Sequence, residues 1–214
     1  SQNRIFLEEY PIYEYNILMN ALLTALISSA IMGGYPQNNN IPQDIYDDYV
    51  SIVDQATYKC PYAKPEKVNV NLLWDLVKIE AKHNPPPELQ GMLLSAACHE
   101  SGYNPKALGD YTKKTRIPRA KGILQQWKWV KKYGVNRFNP HQAAEFWMKH
   151  VVRQLKKVKK QCRFRSQKKL WIAAWVTSIR YPKPSGRCYE RPLHLRILKK
   201  WQRNIKRKTK LDGC

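Results

Sequence analysis

The apolar residues of this chain recur at helical spacing, and nowhere do they alternate as a half-buried strand requires. The densest case is Glu88 to Ser101 (ELQGMLLSAACHES), where Leu89, Met92, Leu93, Ala96, Ala97 and Glu100 fall at steps of three, one, three, one and three. That spacing is one stripe on one helix. Similar stripes predict helices from about 141 to 160 (Ala144, Trp147, Met148, Val151, Leu155, Val158), from 168 to 179 (Trp171, Ala174, Trp175, Ser178) and from 194 to 205 (His194, Leu198, Trp201, Ile205). Asn69 or Asn71 is placed to cap a further helix reaching Lys82, with Leu72, Leu76 and Ile79 facing inward. The expected fold is therefore mainly α.

Turn formers divide the chain. Gly33 to Pro42 (GGYPQNNNIP) separates an N-terminal helical arm, residues 1–43, from a second region, residues 44–214. Within the arm, Ile17 to Met32 is apolar, but an acidic segment containing Pro11 precedes it, which is the wrong beginning for a signal peptide. Its sixteen residues are also short for a membrane span, so a buried helix is expected there. Gln43 to Gln55 is expected to form a short helix, and Pro85-Pro86-Pro87 stops the helix before it and opens the next. Residues 102–122 read as a long polar loop, and loops of that size inside a domain are usually functional.

Charge narrows the partners. The chain of 214 residues holds 38 Lys and Arg against 16 Asp and Glu, a formal net charge of +22. The basic runs lie between 111 and 210, while residues 1–55 are comparatively acidic. A field of this size attracts polyanions: nucleic acid, anionic lipid or an anionic cell-wall surface. With 43% hydrophobic residues, seven Trp and thirteen Tyr, a disordered polycation is excluded.

Of the five cysteines, Cys60, Cys188 and Cys214 sit near Pro, Gly or the end of the chain and suit disulfides of an oxidising compartment. Cys98 lies mid-helix and reads as a buried free thiol. Cys162 completes a set with no CxxC pair. The five histidines, His83, His99, His141, His150 and His194, show no metal-ligand spacing either, so neither a metal site nor a cofactor is expected.

Glu100 carries the chemical expectation. A carboxylate on an apolar stripe is partly withdrawn from water, which favours its neutral form. A carboxylic acid still protonated near neutral pH is what protonates a departing sugar oxygen. The simplest structural reading of the same residue is a helix-end Glu reaching solvent.

Around Glu100 the sequence reads His99-Glu100-Ser101-Gly102-Tyr103-Asn104-Pro105-Lys106-Ala107. Ala120-Lys121-Gly122-Ile123-Leu124-Gln125 follows, and then Phe138-Asn139-Pro140 leads into a helix. This order of elements resembles the lytic transglycosylase and goose-type lysozyme family over about residues 70–205. The resemblance implies a lysozyme-like helical domain that cuts the β-1,4 bond between N-acetylmuramic acid and N-acetylglucosamine in peptidoglycan glycan strands. It implies Glu100 as the acid, Ser101 beside it, and Tyr103 and Gln125 along the substrate groove. It also implies a secreted or periplasmic protein.

The chain departs from the family at Ala173-Ala174-Trp175-Val176, where the family carries Ala-Tyr-Asn. Trp175 takes the place of the Tyr, and Tyr181 is a second source of a hydroxyl. Two reaction courses follow. In hydrolysis a second carboxylate assists, for which Asp110 in the 102–122 segment is the candidate. In lytic transglycosylation the glycan's own groups serve, giving a 1,6-anhydro product. An altered pocket also suits a modified, N-deacetylated wall. The competing readings are a catalytically inactive glycan binder and a basic, helical nucleic-acid-binding protein.

Overall fold

The computed structural model of the protein describes residues 43–163, 165–179, 188 and 191–211. The N-terminal arm, its apolar Ile17–Met32 segment, Tyr181 and Cys214 lie outside the described residues. Six α-helices, three short 3-10 helices and one two-stranded sheet make up the regular structure of the described residues, so the fold is mainly α. The helices are α1 (Gln43–Lys59), α2 (Val70–Ala81), α3 (Met92–Ser101), α4 (Pro140–Gln161), α5 (Gln167–Ile179) and α6 (His194–Leu211). Among the described residues no helix is long and apolar enough to cross a membrane.

Local chemistry explains the boundaries. Asn69 caps α2, its side chain accepting from the Leu72 N–H at 3.2 Å. Asn139 caps α4 in the same way through Gln142, with Pro140 at the first helical position. The predicted single helix from 88 to 101 is broken. A 3-10 turn, Pro87–Leu89, precedes α3, and Gly91 between them adopts φ +86°. A side chain at Gly91 would also place its Cβ 2.6 Å from the Ile52 side chain, so the break needs glycine.

Helix α3 is the centre of the core. Every residue from Met92 to Cys98 is buried, so its burial runs round the helix rather than along one stripe. It packs on α1, α2 and α6, while α4 packs on α2 and α5. Glu80 of α2 anchors its beginning. The buried Glu80 carboxylate accepts from the Gly91 and Leu93 N–H groups, each at 2.6 Å, and from the Tyr49 hydroxyl at 2.8 Å. Two of the orphan donors at the helix start are thereby satisfied.

The free-thiol expectation for Cys98 is corrected. Cys98 forms a disulfide with Cys60, which follows the end of α1, with Cα atoms 5.8 Å apart. The fully buried position that suggested an inert thiol is the one that faces the end of α1. A second disulfide joins Cys162, at the end of α4, to Cys188. Both fit an oxidising compartment.

The 102–122 segment is also not a simple loop. Strands β1 (Leu108–Tyr111) and β2 (Pro118–Lys121) pair antiparallel, with Leu108 opposite Lys121 and Tyr111 opposite Pro118. Each strand has four residues and β1 buries none of them, so no alternation marked the hairpin in the sequence.

Candidate active site

Glu100 stands in the last turn of α3. Gly102 ends the helix in the left-handed conformation, where a side chain would strike the Tyr62 carbonyl. The Ser101 hydroxyl bridges to the Ile123 carbonyl at 2.8 Å and to the Ala97 carbonyl at 3.2 Å. Ser101 therefore ties the helix end to the 122–126 turn and sets the position of that turn beside Glu100. The turn is tight: Gln125, at φ +44°, donates its side-chain amide back to the Gly122 carbonyl at 2.9 Å. Its neighbour Gln126 is buried and donates to the Ala143 carbonyl in α4. The buried Arg137 guanidinium donates to the Arg119 and Gln126 carbonyls and fastens the hairpin to the same turn.

These elements enclose a cleft of about 650 Å³. Glu100, Asp110 and Gln125, three residues named from the sequence, all line it. So do Trp127, Trp129, Phe146, His150, Ser178 and His194. Glu100 and Asp110 are the carboxylates among the described lining residues. Trp129, Phe146 and His150 form one aromatic cluster, with ring centroids 5.5 to 5.8 Å apart. A second cleft, also about 650 Å³, shares Asp110 and Trp127 with the first and runs past Lys113 and Lys114 at the tip of the hairpin and Arg119 in β2.

The partner of Glu100 is His194, the first residue of α6. Its Nε2 lies 2.7 Å from Glu100 Oε1, and its side chain is 4% exposed against 26% for Glu100. A contact this short is a hydrogen bond between the imidazole nitrogen and the carboxyl oxygen, and it fixes Glu100 at the cleft wall. The His194 ring rests against Trp175 and His99, with centroids 5.7 and 4.8 Å away. His99 Nδ1 approaches Glu100 Oε1 at 3.7 Å. Burial, and then the neighbouring His194, push the His99 pKa down, while Glu100 pulls it up.

The remaining named residues sit differently. Trp175 is fully buried, packed edge-on against Trp147, and backs His194 rather than lining the cleft. Tyr103 is also buried, and its hydroxyl has no partner among the described residues. Burial drives its pKa up, and it too lies off the cleft. Asp110 is exposed, at φ +48°, and accepts from the Trp127 indole N–H at 2.9 Å. That bond fixes a half-exposed indole beside the cleft, with the Arg119 guanidinium 5.8 Å from its ring.

His194, His150, Trp127 and Trp129 were not singled out by sequence motifs. His194 did carry a signal, since it shares an apolar stripe with Leu198 and Trp201, as Glu100 does with Ala96 and Ala97. The donor atoms of His99, Glu100 and His194 lie within 4.8 Å of one another, a grouping able to hold a metal ion. Spacing could not reveal it, because His194 comes ninety-four residues after Glu100.

Comparison of the chain with known protein families, with curated proteins and with solved structures finds no significant match.

Proposed function

We propose that the protein is a peptidoglycan-cleaving glycosidase of the lysozyme type, with Glu100 as its general acid. The observation that carries this reading is a carboxylate, three-quarters shielded and hydrogen-bonded at 2.7 Å to a buried histidine, on the wall of a cleft. The cleft has the aromatic lining on which sugar rings stack. The basic hairpin beside its second part suits the carboxylates and phosphates of a bacterial wall. The two disulfides are in keeping with action outside the cytosol, in a periplasm or as a secreted protein.

In this reading Glu100 gives its proton to the glycosidic oxygen. The C1–O bond breaks, and the leaving sugar keeps the electron pair as a hydroxyl. The Glu100 carboxylate then takes the proton of whichever group attacks C1. Water gives a free reducing end, and the glycan's own 6-hydroxyl gives a 1,6-anhydro ring. We assign Asp110 to orienting Trp127, because one of its oxygens is already engaged by the indole. That engagement favours, as a second reading, the transglycosylase course, which needs no second carboxylate.

Mass spectrometry of the fragments released from purified sacculi, native and chemically N-deacetylated, tests both readings. Fragments with free reducing ends are expected. Fragments lighter by one water transfer the assignment to the second reading. Cleavage of the deacetylated sample alone defines a modified wall as the substrate. Release of no fragment from either sample sinks the proposal.

A further inference from the structure

The cluster at the end of α3 has a donor set that proton transfer does not require. His99 Nδ1, Glu100 Oε1 and His194 Nε2 are separated by 2.7 Å (His194 to Glu100) and 3.7 Å (His99 to Glu100), and all lie within 4.8 Å of one another. In a tetrahedral site with bonds of about 2.1 Å, ligand atoms stand roughly 3.4 Å apart. Shifts of less than about 1 Å therefore bring these atoms onto three corners of a tetrahedron around one ion. Glu100 and His194 both line the cleft, from which a fourth ligand would come.

Two further observations point to a ligand here. His99 Nδ1 is buried and has no hydrogen-bond partner among the described residues, and its 3.7 Å approach to Glu100 is too long to count as one. A buried nitrogen left unpaired is costly, and a metal bond would satisfy it. The His194 side chain is itself buried, with the Trp175 and His99 rings 5.7 and 4.8 Å from its own, so little of its freedom is left to lose on binding. Two imidazoles and one carboxylate with an open position select a borderline divalent transition cation. Calcium and magnesium, which take oxygen ligands, do not suit the set.

We propose that His99, Glu100 and His194 form a binding site for such a cation, Zn2+ being the representative, and that its occupation switches the cleft off. The metal–Oε1 bond forms as the proton of the Glu100–His194 hydrogen bond leaves to water. The acid then has no proton to deliver. The second half of this proposal rests on the reading of Glu100 as the general acid, and the first half does not.

The test uses the full chain stripped with a chelator and desalted. Calorimetric titration with Zn2+ should give one ion per chain, and Co2+ in its place should give the visible bands of a four-coordinate site. His99→Gln and Glu100→Gln should each weaken Zn2+ binding at least tenfold and remove those bands. The stripped protein should degrade sacculi, and Zn2+ should stop it with the same midpoint as binding. Absence of binding, or binding untouched in both variants, overturns the site. Activity that appears only when Zn2+ is added overturns the switching. A stripped protein that degrades sacculi but binds no Zn2+ leaves the glycosidase standing without this inference. A protein that binds Zn2+ through these residues but never cleaves leaves the metal site standing without the glycosidase.

Discussion

Two glutamates bracket helix α3, and they have opposite fates. Glu80 reaches its beginning from α2, is 1% exposed, and has its oxygens filled by three fixed donors, Tyr49, Gly91 and Leu93. Glu100 stands at its end, has one close partner in His194, and opens on the cleft. Both lie on apolar stripes: Glu80 is four residues from Leu76 and three from Val77, as Glu100 is four from Ala96 and three from Ala97. What separates them is the filling of their acceptor positions. A carboxylate whose oxygens are all occupied by backbone and phenol donors holds structure, while one with an open face can do chemistry.

The largest effect expected from this contrast is that of Glu100→Gln. An amide cannot deliver the proton, so fragment release from sacculi should fall by about a hundredfold or more. The denaturation midpoint should move little, because the amide oxygen still accepts from His194 and the His99 approach is only a 3.7 Å one. Activity within tenfold of the unsubstituted protein would break the contrast at its chemical end.

Glu80→Gln should do the reverse. Either orientation of the new amide points its NH2 group at the Gly91 or the Leu93 N–H. The expected loss is roughly 2–4 kcal/mol of folding stability, read from urea denaturation at about pH 5, with cleavage by the folded fraction preserved. Unchanged stability would mean that Glu80 is not what anchors α3.

The same residue sets a pH dependence. Burial pushes the Glu80 pKa up from 4.5 to about 7, against the three donors that pull it down. The folded state thus binds this proton more tightly than the unfolded chain. Its contribution is complete below about pH 4.5 and is lost as the pH rises through about 7, a change of up to roughly 3 kcal/mol. The stability difference between the protein and Glu80→Gln should therefore shrink from pH 4.5 to 8. A difference that stays flat, or grows, contradicts the burial argument.

Helix positions were legible in the sequence because caps and apolar spacing are local. Asn69, Asn139 and Gly102 mark boundaries that the structure keeps. The break at Gly91 was missed because a lone glycine inside an apolar stripe does not announce a left-handed backbone, and Ile52, for which it leaves room, lies on another helix. The hairpin was missed because an exposed pair of strands has no buried face to impose a pattern. Glu100, Asp110 and Gln125 do meet on one cleft, whereas Trp175 packs behind it because an aromatic on a helix stripe enters the core first. His194 and the Cys60–Cys98 bridge depend on chain segments that only tertiary packing brings together.

Asp110 sharpens the contrast from between its two extremes, since one of its oxygens is occupied and the other has no hydrogen bond among the described residues. If it orients Trp127, Asp110→Ala should free the indole and raise KM for soluble glycan fragments about tenfold, the scale of one charge-assisted hydrogen bond. The value of kcat should hold. Asp110→Asn should restore KM, because its amide oxygen still accepts from the Trp127 N–H, and Trp127→Phe should reproduce the alanine variant. A base for water behaves otherwise. Asp110→Asn would then cut kcat by a hundredfold or more at constant KM, and the filled oxygen would have no bearing on what this carboxylate does.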